Sequence, residues 1–195
     1  MASSRDTAPC DMGGFTRLLH TGRADDLMDE IPTLVTDTLP GGRSESYSPI
    51  NRPYAFLQWL DAASIPERYI LMAEPDQLFI RPMPNLMHGD QPAAAGGLHY
   101  MPPSSYKSLV RKFLGPVSDE EIAQVPLVGC SPSLISVHGL RRVAARWLNT
   151  SIAIFDDAEA RSTWGWVQEM FGYRLATYRA GVHQVRGRTG TAACG

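Results

Sequence analysis

Apolar residues recur along this chain in short runs and spaced stripes, and their periods predict strands alternating with helices. Phe15 to Leu19 is an apolar run entered through Gly13-Gly14, where a positive φ costs little, and it reads as a short strand. Thr36 to Ser48 is polar around a Pro40-Gly41-Gly42 turn and reads as a loop. From Pro53 to about Ala62 the pattern turns helical, with Pro53 suited to the first helical position and Asn51 to its polar entry. Tyr54, Phe56, Leu57, Trp59 and Leu60 leave that helix apolar nearly all round, which argues for burial. Tyr69 to Met72 reads as a buried, central strand; Leu78 to Ile80 resumes it, and Arg81-Pro82-Met83-Pro84 ends it.

Downstream, Ala93 to His99 and Leu134 to Val137 are strand candidates, with a helix expected over Ser104 to Leu114. Leu140, Val143, Ala144, Trp147 and Leu148 fall at i, i+3, i+4, i+7 and i+8, one apolar face of a helix. Trp164, Val167, Phe171, Leu175 and Tyr178 keep a similar spacing and predict one long final helix. Asp156, Asp157 and Glu159 suit a helix start, where negative charge is favourable. Strands alternating with helices imply an α/β domain, a mixed sheet flanked by helices. The expected division is a disordered lead over 1–12, one domain over 13–178 and a disordered, aperiodic tail over 179–195.

With 195 residues, 44% hydrophobic and 19% charged, the chain can bury a single core. Its formal net charge of -2 and lack of a Lys/Arg cluster argue against a nucleic-acid partner. No run of about 18 apolar residues is present to span a membrane, and the residues after Met1 lack the apolar core of a secretory signal. Cys10, Cys130 and Cys194 are too scattered for a zinc site. Asn149-Thr150-Ser151 matches an N-glycosylation sequon.

The candidate chemistry lies in Glu74-Pro75-Asp76, where the buried-strand pattern stops at two carboxylates. Carboxylates at such a point are costly unless something cationic meets them. Pro75 fixes its own φ and pushes Glu74 toward an extended conformation, so the turn is stiff. Hard oxygen ligands on a stiff turn suit Mg²⁺ or Mn²⁺, which take one or two carboxylates together with phosphate oxygens. A surface turn that binds nothing has the same sequence.

Further segments accompany the triplet: Met12-Gly13-Gly14-Phe15-Thr16-Arg17-Leu18-Leu19-His20-Thr21-Gly22, Asp25-Asp26-Leu27-Met28-Asp29-Glu30-Ile31-Pro32-Thr33, Asn51-Arg52-Pro53-Tyr54-Ala55-Phe56-Leu57-Gln58-Trp59-Leu60, Pro82-Met83-Pro84-Asn85-Leu86 and Trp164-Gly165-Trp166-Val167-Gln168-Glu169-Met170. In this order and spacing, from about Asp11 to Tyr178, the chain resembles the hydroxyproline O-arabinosyltransferase family of plants and green algae. The resemblance implies an A-type glycosyltransferase fold and a retaining transfer of arabinofuranose. The donor would be UDP-β-L-arabinofuranose and the acceptor the hydroxyproline of secreted proteins or peptides. It also implies Mn²⁺ or Mg²⁺ as cofactor and a type II membrane protein of the Golgi lumen. Family members carry an anchor and a first strand-helix unit ahead of the Met12 segment. This chain is expected to lack both, leaving the base side of the donor pocket open and UDP binding weak.

On that resemblance, Asp76 and Glu74 are the metal and catalytic candidates, and Glu169 is a possible sugar-side carboxylate. Arg17, His20, Asn51, Arg52, Ser131, Trp164 and Trp166 are the donor-binding candidates. The residues leave plainer readings open. Asn51 suits a helix cap beside a solvated Arg52, whereas the Arg52 fork also suits phosphate. His20 suits an ordinary hydrogen-bonded histidine. Trp164 suits the core with Glu169 on a solvated face, although sugars do stack on tryptophan beside carboxylates. Gln77 stands where the family pattern has a His, and Cys130 where it has an Asn. A related peptidyl serine galactosyltransferase carries Asn-Lys-Pro-Trp and Asp-Pro-Asp at the segments that read Asn51-Arg52-Pro53-Tyr54 and Glu74-Pro75-Asp76 here. It is the enzymatic alternative, and a non-catalytic truncated paralogue is the other.

Overall fold

The computed structural model describes residues 13–78, 87, 93–94, 101–127, 129–182 and 185–186. The best-formed element is the one with the cleanest period. Helix α5 (Val137–Asp156) buries Leu140, Val143, Ala144, Trp147, Leu148 and Ile154 on one face. Its start is set by Ser136, whose hydroxyl accepts from the Gly139 N–H at 2.9 Å, a side-chain N-cap. The sequon falls inside this helix, with Thr150 and Ser151 buried. Helix α7 (Gln168–Arg179) packs along α5 and is buried on most of its circumference. The approach is closest at Gly172, where a Cβ would stand 2.2 Å from Ser151 Oγ and 3.2 Å from its Cα. Only glycine fits there without moving one helix off the other.

Against α5 lies a four-stranded sheet in the order β3 (Tyr69–Met72), β5 (Ser133–Ser136), β4 (Ala93–Ala94) and β6 (Val185–Arg186). Strand β3 pairs antiparallel with β5, from Tyr69 opposite Ser136 to Met72 opposite Ser133. Strand β4 follows antiparallel to β5, and β6 runs parallel to β4. Among the described residues β3 is therefore an edge strand, against the expectation of a central one. Hydrophobicity reports burial, and here the burial of Ile70 and Met72 comes from packing against α5 and α2 (Asn51–Ala62) rather than from strands on both sides. Strands β1 (Arg17–Leu19) and β2 (Thr33–Val35) form a separate parallel pair. With only three residues beside Pro32, β2 is too short to leave a period in the sequence.

Several boundaries differ from expectation for local reasons. The polar loop before α2 carries a short helix α1 (Arg43–Ser46) and a 3₁₀ turn over Ser48–Ile50. Helix α2 begins at Asn51, so Pro53 sits third, where its missing N–H is still among the unpaired donors of a first turn. The helix expected from Ser104 divides into a 3₁₀ turn (Pro103–Tyr106) and α3 (Lys107–Leu114), ended by Gly115 at φ +83°. A short α4 (Asp119–Ala123) then starts from a reciprocal Ser118–Glu121 capping box. The long final helix is broken: α6 (Ala158–Trp164) stops at Gly165, φ +49°, and a 3₁₀ turn over Gly165–Val167 leads into α7. Asp157 caps α6 through the Ala160 N–H, whereas Asp156 closes α5. The tail expected from 179 includes the end of α7 and strand β6. Leu78 is exposed coil. Residues 79–86, 95–99 and 1–12, on which the continued strands and the lead were expected, lie outside the described residues, as do Cys10 and Cys194.

Candidate functional site

Three segments far apart in sequence converge on one guanidinium. Arg52 projects from the first turn of α2; Glu74 follows the end of β3; Glu169 stands in the first turn of α7. Arg52 Nη2 reaches Glu74 Oε1 at 2.8 Å, and Nη1 reaches Glu169 Oε2 at 2.9 Å. The same Nη1 lies 2.8 Å from Cys130 Sγ, in the loop leading to β5, and that thiol faces Glu169 Oε1 at 3.4 Å. Glu169 is 1% exposed, so without Arg52 its charge would be untenable. Its backbone is held as well. The Glu169 N–H donates to Tyr47 Oη at 3.0 Å, the Tyr47 hydroxyl donates to the Trp166 carbonyl at 2.7 Å, and the Trp147 indole N–H donates to the Glu169 carbonyl at 3.1 Å.

The electrostatics follow from burial and pairing. For Arg52, burial works to lower the pKa, but Glu169, Cys130 and Glu74 outweigh it and carry the guanidinium further above its ordinary value. Its charge is present at every working pH. Burial pushes the Glu169 carboxyl up while Arg52 pulls it down. Burial also pushes the Cys130 thiol well up, helped by Glu169, so Cys130 is a protonated, unreactive thiol rather than a nucleophile. Tyr47 is raised for the same reason, burial first, and serves as a neutral hydrogen-bonding hydroxyl.

Beside this cluster the acidic turn is closed by Gln77. Its Oε1 accepts from the Glu74 N–H and from the Ser131 hydroxyl, each at 3.0 Å, and the Gln77 N–H returns to the Glu74 carbonyl at 3.1 Å. The Ser131–Pro132 peptide is cis. Asp76 points out of the turn, exposed and without a hydrogen bond or ion pair among the described residues.

The two acids of the triplet therefore differ. Glu74 fits poorly as a metal ligand, because a guanidinium already touches its carboxylate and would repel a cation placed there. Asp76 has the free oxygens that a divalent ion requires, and one carboxylate with phosphate oxygens is an ordinary set for Mg²⁺ or Mn²⁺. No group of three His, Cys, Asp or Glu side chains able to hold a metal occurs among the described residues.

Other expected site residues are employed elsewhere. Arg17 is spent on Asp25, through two contacts of 2.8 and 2.6 Å, and on Thr33 Oγ1 at 2.9 Å. Asn51 is buried and caps nothing: its Oδ1 accepts from the Leu39 N–H at 2.7 Å and anchors the preceding loop. Trp164 is core, stacked on Phe171 at 4.1 Å. Glu169 is sealed from solvent against Arg52 and Cys130, so it does not lie on the solvated face of the plainer reading. Trp166 is 68% exposed, on a different wall from the acidic turn. His20, half-buried at the end of β1, is close enough to feel the Arg52 charge. The structure thus brings Arg52, Glu74, Glu169, Ser131 and His20 into one neighbourhood, with Asp76 at its rim. Sequence reasoning missed Tyr47 and Trp147. Tyr47 sits in a stretch read as loop and leaves no period; Trp147 was legible only as core.

Residues 2–186 match the family described as the hydroxyproline O-arabinosyltransferase family N-terminal domain. Hydroxyproline O-arabinosyltransferase 3 of Arabidopsis thaliana is 46% identical over 175 residues, 90% of this chain and 48% of that protein. Hydroxyproline O-arabinosyltransferase RDN2 of Medicago truncatula is also 46% identical over 175 residues, with the same coverage. Hydroxyproline O-arabinosyltransferase PLENTY of Lotus japonicus is 44% identical over 185 residues, 93% of this chain and 50% of its own length. The chain spans about half the length of the curated relatives it matches. No solved structure matches.

Proposed function

The chain belongs to the hydroxyproline O-arabinosyltransferase family, and from that premise we propose that it works in a retaining transfer of arabinofuranose from UDP-β-L-arabinofuranose to hydroxyproline of secreted proteins or peptides. In the transfer the bond from sugar C1 to the diphosphate oxygen breaks, a bond to the hydroxyproline oxygen forms, and the hydroxyl proton is released. The observation that carries the proposal is the gathering of three family-like segments on Arg52. It locks the acidic turn just past the C-terminal end of β3. Asp76 would hold a Mg²⁺ or Mn²⁺, which when bound supplies positive charge opposite the departing diphosphate. Arg52 and Glu169 keep Glu74 still, and Gln77 fixes the turn so that Asp76 is presented outward without reorganisation. An A-type glycosyltransferase arrangement and service in the Golgi lumen as part of a type II membrane protein complete this reading.

A non-catalytic role is the second reading. It is favoured by the commitment of both Glu74 and Glu169 to Arg52, which leaves Asp76 as the one open carboxylate in the described cluster. Transfer assays with a hydroxyproline peptide, UDP-arabinofuranose, UDP-galactose and Mn²⁺ separate the two. In a protein extended upstream to the length of the relatives, the expected result is Mn²⁺-stimulated arabinosyl transfer that Asp76→Asn lowers on the order of 10²–10³-fold, with an unchanged melting temperature. Absence of transfer by that extended protein favours the non-catalytic role. Full activity in Asp76→Asn removes Asp76 from the mechanism.

A further inference from the structure

Behind the Arg52 cluster the chain forms a concavity, of about 490 Å³, that the transfer chemistry leaves unused. Its walls are Tyr47, Phe155 and Trp166, with Arg161 and Gln168 between them. The rings are set at fixed angles: Tyr47 stacks on Phe155 at 6.1 Å and 24°, and Trp166 stands edge-on to Tyr47 at 5.8 Å and 82°. Arg161 lies over the Phe155 ring at 5.5 Å and also donates to the Phe155 carbonyl at 2.7 Å. We infer that this concavity docks the acceptor, as a hydroxyproline-bearing segment in the polyproline II conformation.

The choice of occupant comes from the hydrogen-bonding inventory. Proline-type residues offer carbonyl acceptors and no backbone N–H donors, and their extended helix leaves those carbonyls unpaired. A surface that recognises them supplies ring faces and donors. Trp166 presents an exposed face and an indole N–H with no acceptor among the described residues, and Arg161 adds a guanidinium. Among the described residues no carboxylate lines the concavity. A sugar, by contrast, displays many hydroxyl donors and calls for acceptors such as carboxylates, so the lining fits a proline-rich chain better than a glycan.

Gln168 stiffens the wall from behind. It is 4% exposed, its Nε2 is held by the Gly165 carbonyl at 2.5 Å, and its Oε1 has no partner. Tyr47 also connects the two sites, since its ring faces this concavity while its hydroxyl holds the Glu169 and Trp166 backbones.

The inference rests on the transferase reading for the identity of the acceptor. It is tested on the full chain by fluorescence anisotropy with a labelled hydroxyproline peptide of about ten residues, roughly three turns of polyproline II. A Gly/Ser peptide of equal length is the control. Saturable binding of the hydroxyproline peptide alone is expected. Trp166→Ala should raise its Kd at least about tenfold, as loss of an exposed aromatic anchor does, and Trp166→Phe should raise it less. Equal binding of the Gly/Ser peptide, an unchanged Kd in a folded Trp166→Ala protein, or displacement of the peptide by arabinose oligosaccharides overturns the inference. A parallel titration with UDP and Mn²⁺ keeps the two ideas apart. UDP binding without peptide binding overturns the docking surface and leaves the transferase reading standing; peptide binding with weak UDP binding supports the docking surface and leaves the transferase reading to the transfer assay.

Discussion

Two groups of ion pairs in this molecule use the same chemistry and have opposite consequences. One joins α3, α4 and α6 on the surface: Lys107 and Arg111 meet Asp119, and Lys112 reaches Asp157 at 3.1 Å and Glu159 at 2.6 Å. Every partner there remains in water, which screens the attraction and offers each charge an alternative. The other is the Arg52 centre, where Glu169 has no solvent and its alternatives are a thiol and a guanidinium. The lesson is that burial decides what an ion pair does. On the surface it decorates three helix ends; in the centre it determines which segments can be neighbours.

The sharpest way to break the comparison is Arg52→Met. It leaves Glu169 buried without a counter-charge, and urea unfolding should show a loss of about 3–5 kcal/mol. Adding Glu169→Leu should recover much of that loss, because removing both charges leaves an apolar pair. A single variant as mild as a surface change would mean that water reaches Glu169.

A smaller effect is expected from pH. Burial lowers the His20 pKa from its ordinary 6.5, with Arg52 acting in the same direction and a backbone hydrogen bond opposing them. The unfolded chain then binds this proton more tightly than the folded one. The contribution of His20 is whole above pH 6.5 and is lost as pH falls through the lower folded value. Denaturation midpoints should decline just below pH 6.5, and His20→Gln should flatten that decline. The surface acid Asp119, held down chiefly by its hydrogen bonds to Lys107 and Arg111, has its window below its ordinary 3.8 and leaves this range clear. Smallest of all, Lys112→Ala should leave the urea midpoint unresolved from that of the unaltered chain, in low salt or high. A clear loss there would show that the surface network acts as a unit.

Burial by period was legible from residues alone. Leu140, Val143, Ala144, Trp147 and Leu148 define the inner face of α5 because a helix repeats its environment every three to four positions, so the pattern is a local record of packing. The Tyr69–Met72 run gave its strand for a comparable reason. The break at Gly165 was hidden, because Trp164, Val167 and Phe171 keep helical spacing across it, and only the positive φ sends Trp164 into the core and Trp166 to the surface. The edge position of β3 was hidden too, since strand order depends on partners distant in sequence.

The candidate site divides along the same line. The residue types, the acidic turn and the family were present in the sequence, because motif order and turn chemistry are properties of neighbouring residues. What Glu74, Glu169 and Asp76 each do was decided by tertiary structure. Arg52 and Glu169 are 117 positions apart, and no local pattern encodes that one guanidinium would neutralise two carboxylates and leave the third facing water. A carboxylate's role is set by its solvation and its counter-charge, and both are supplied by parts of the chain that meet only when it folds.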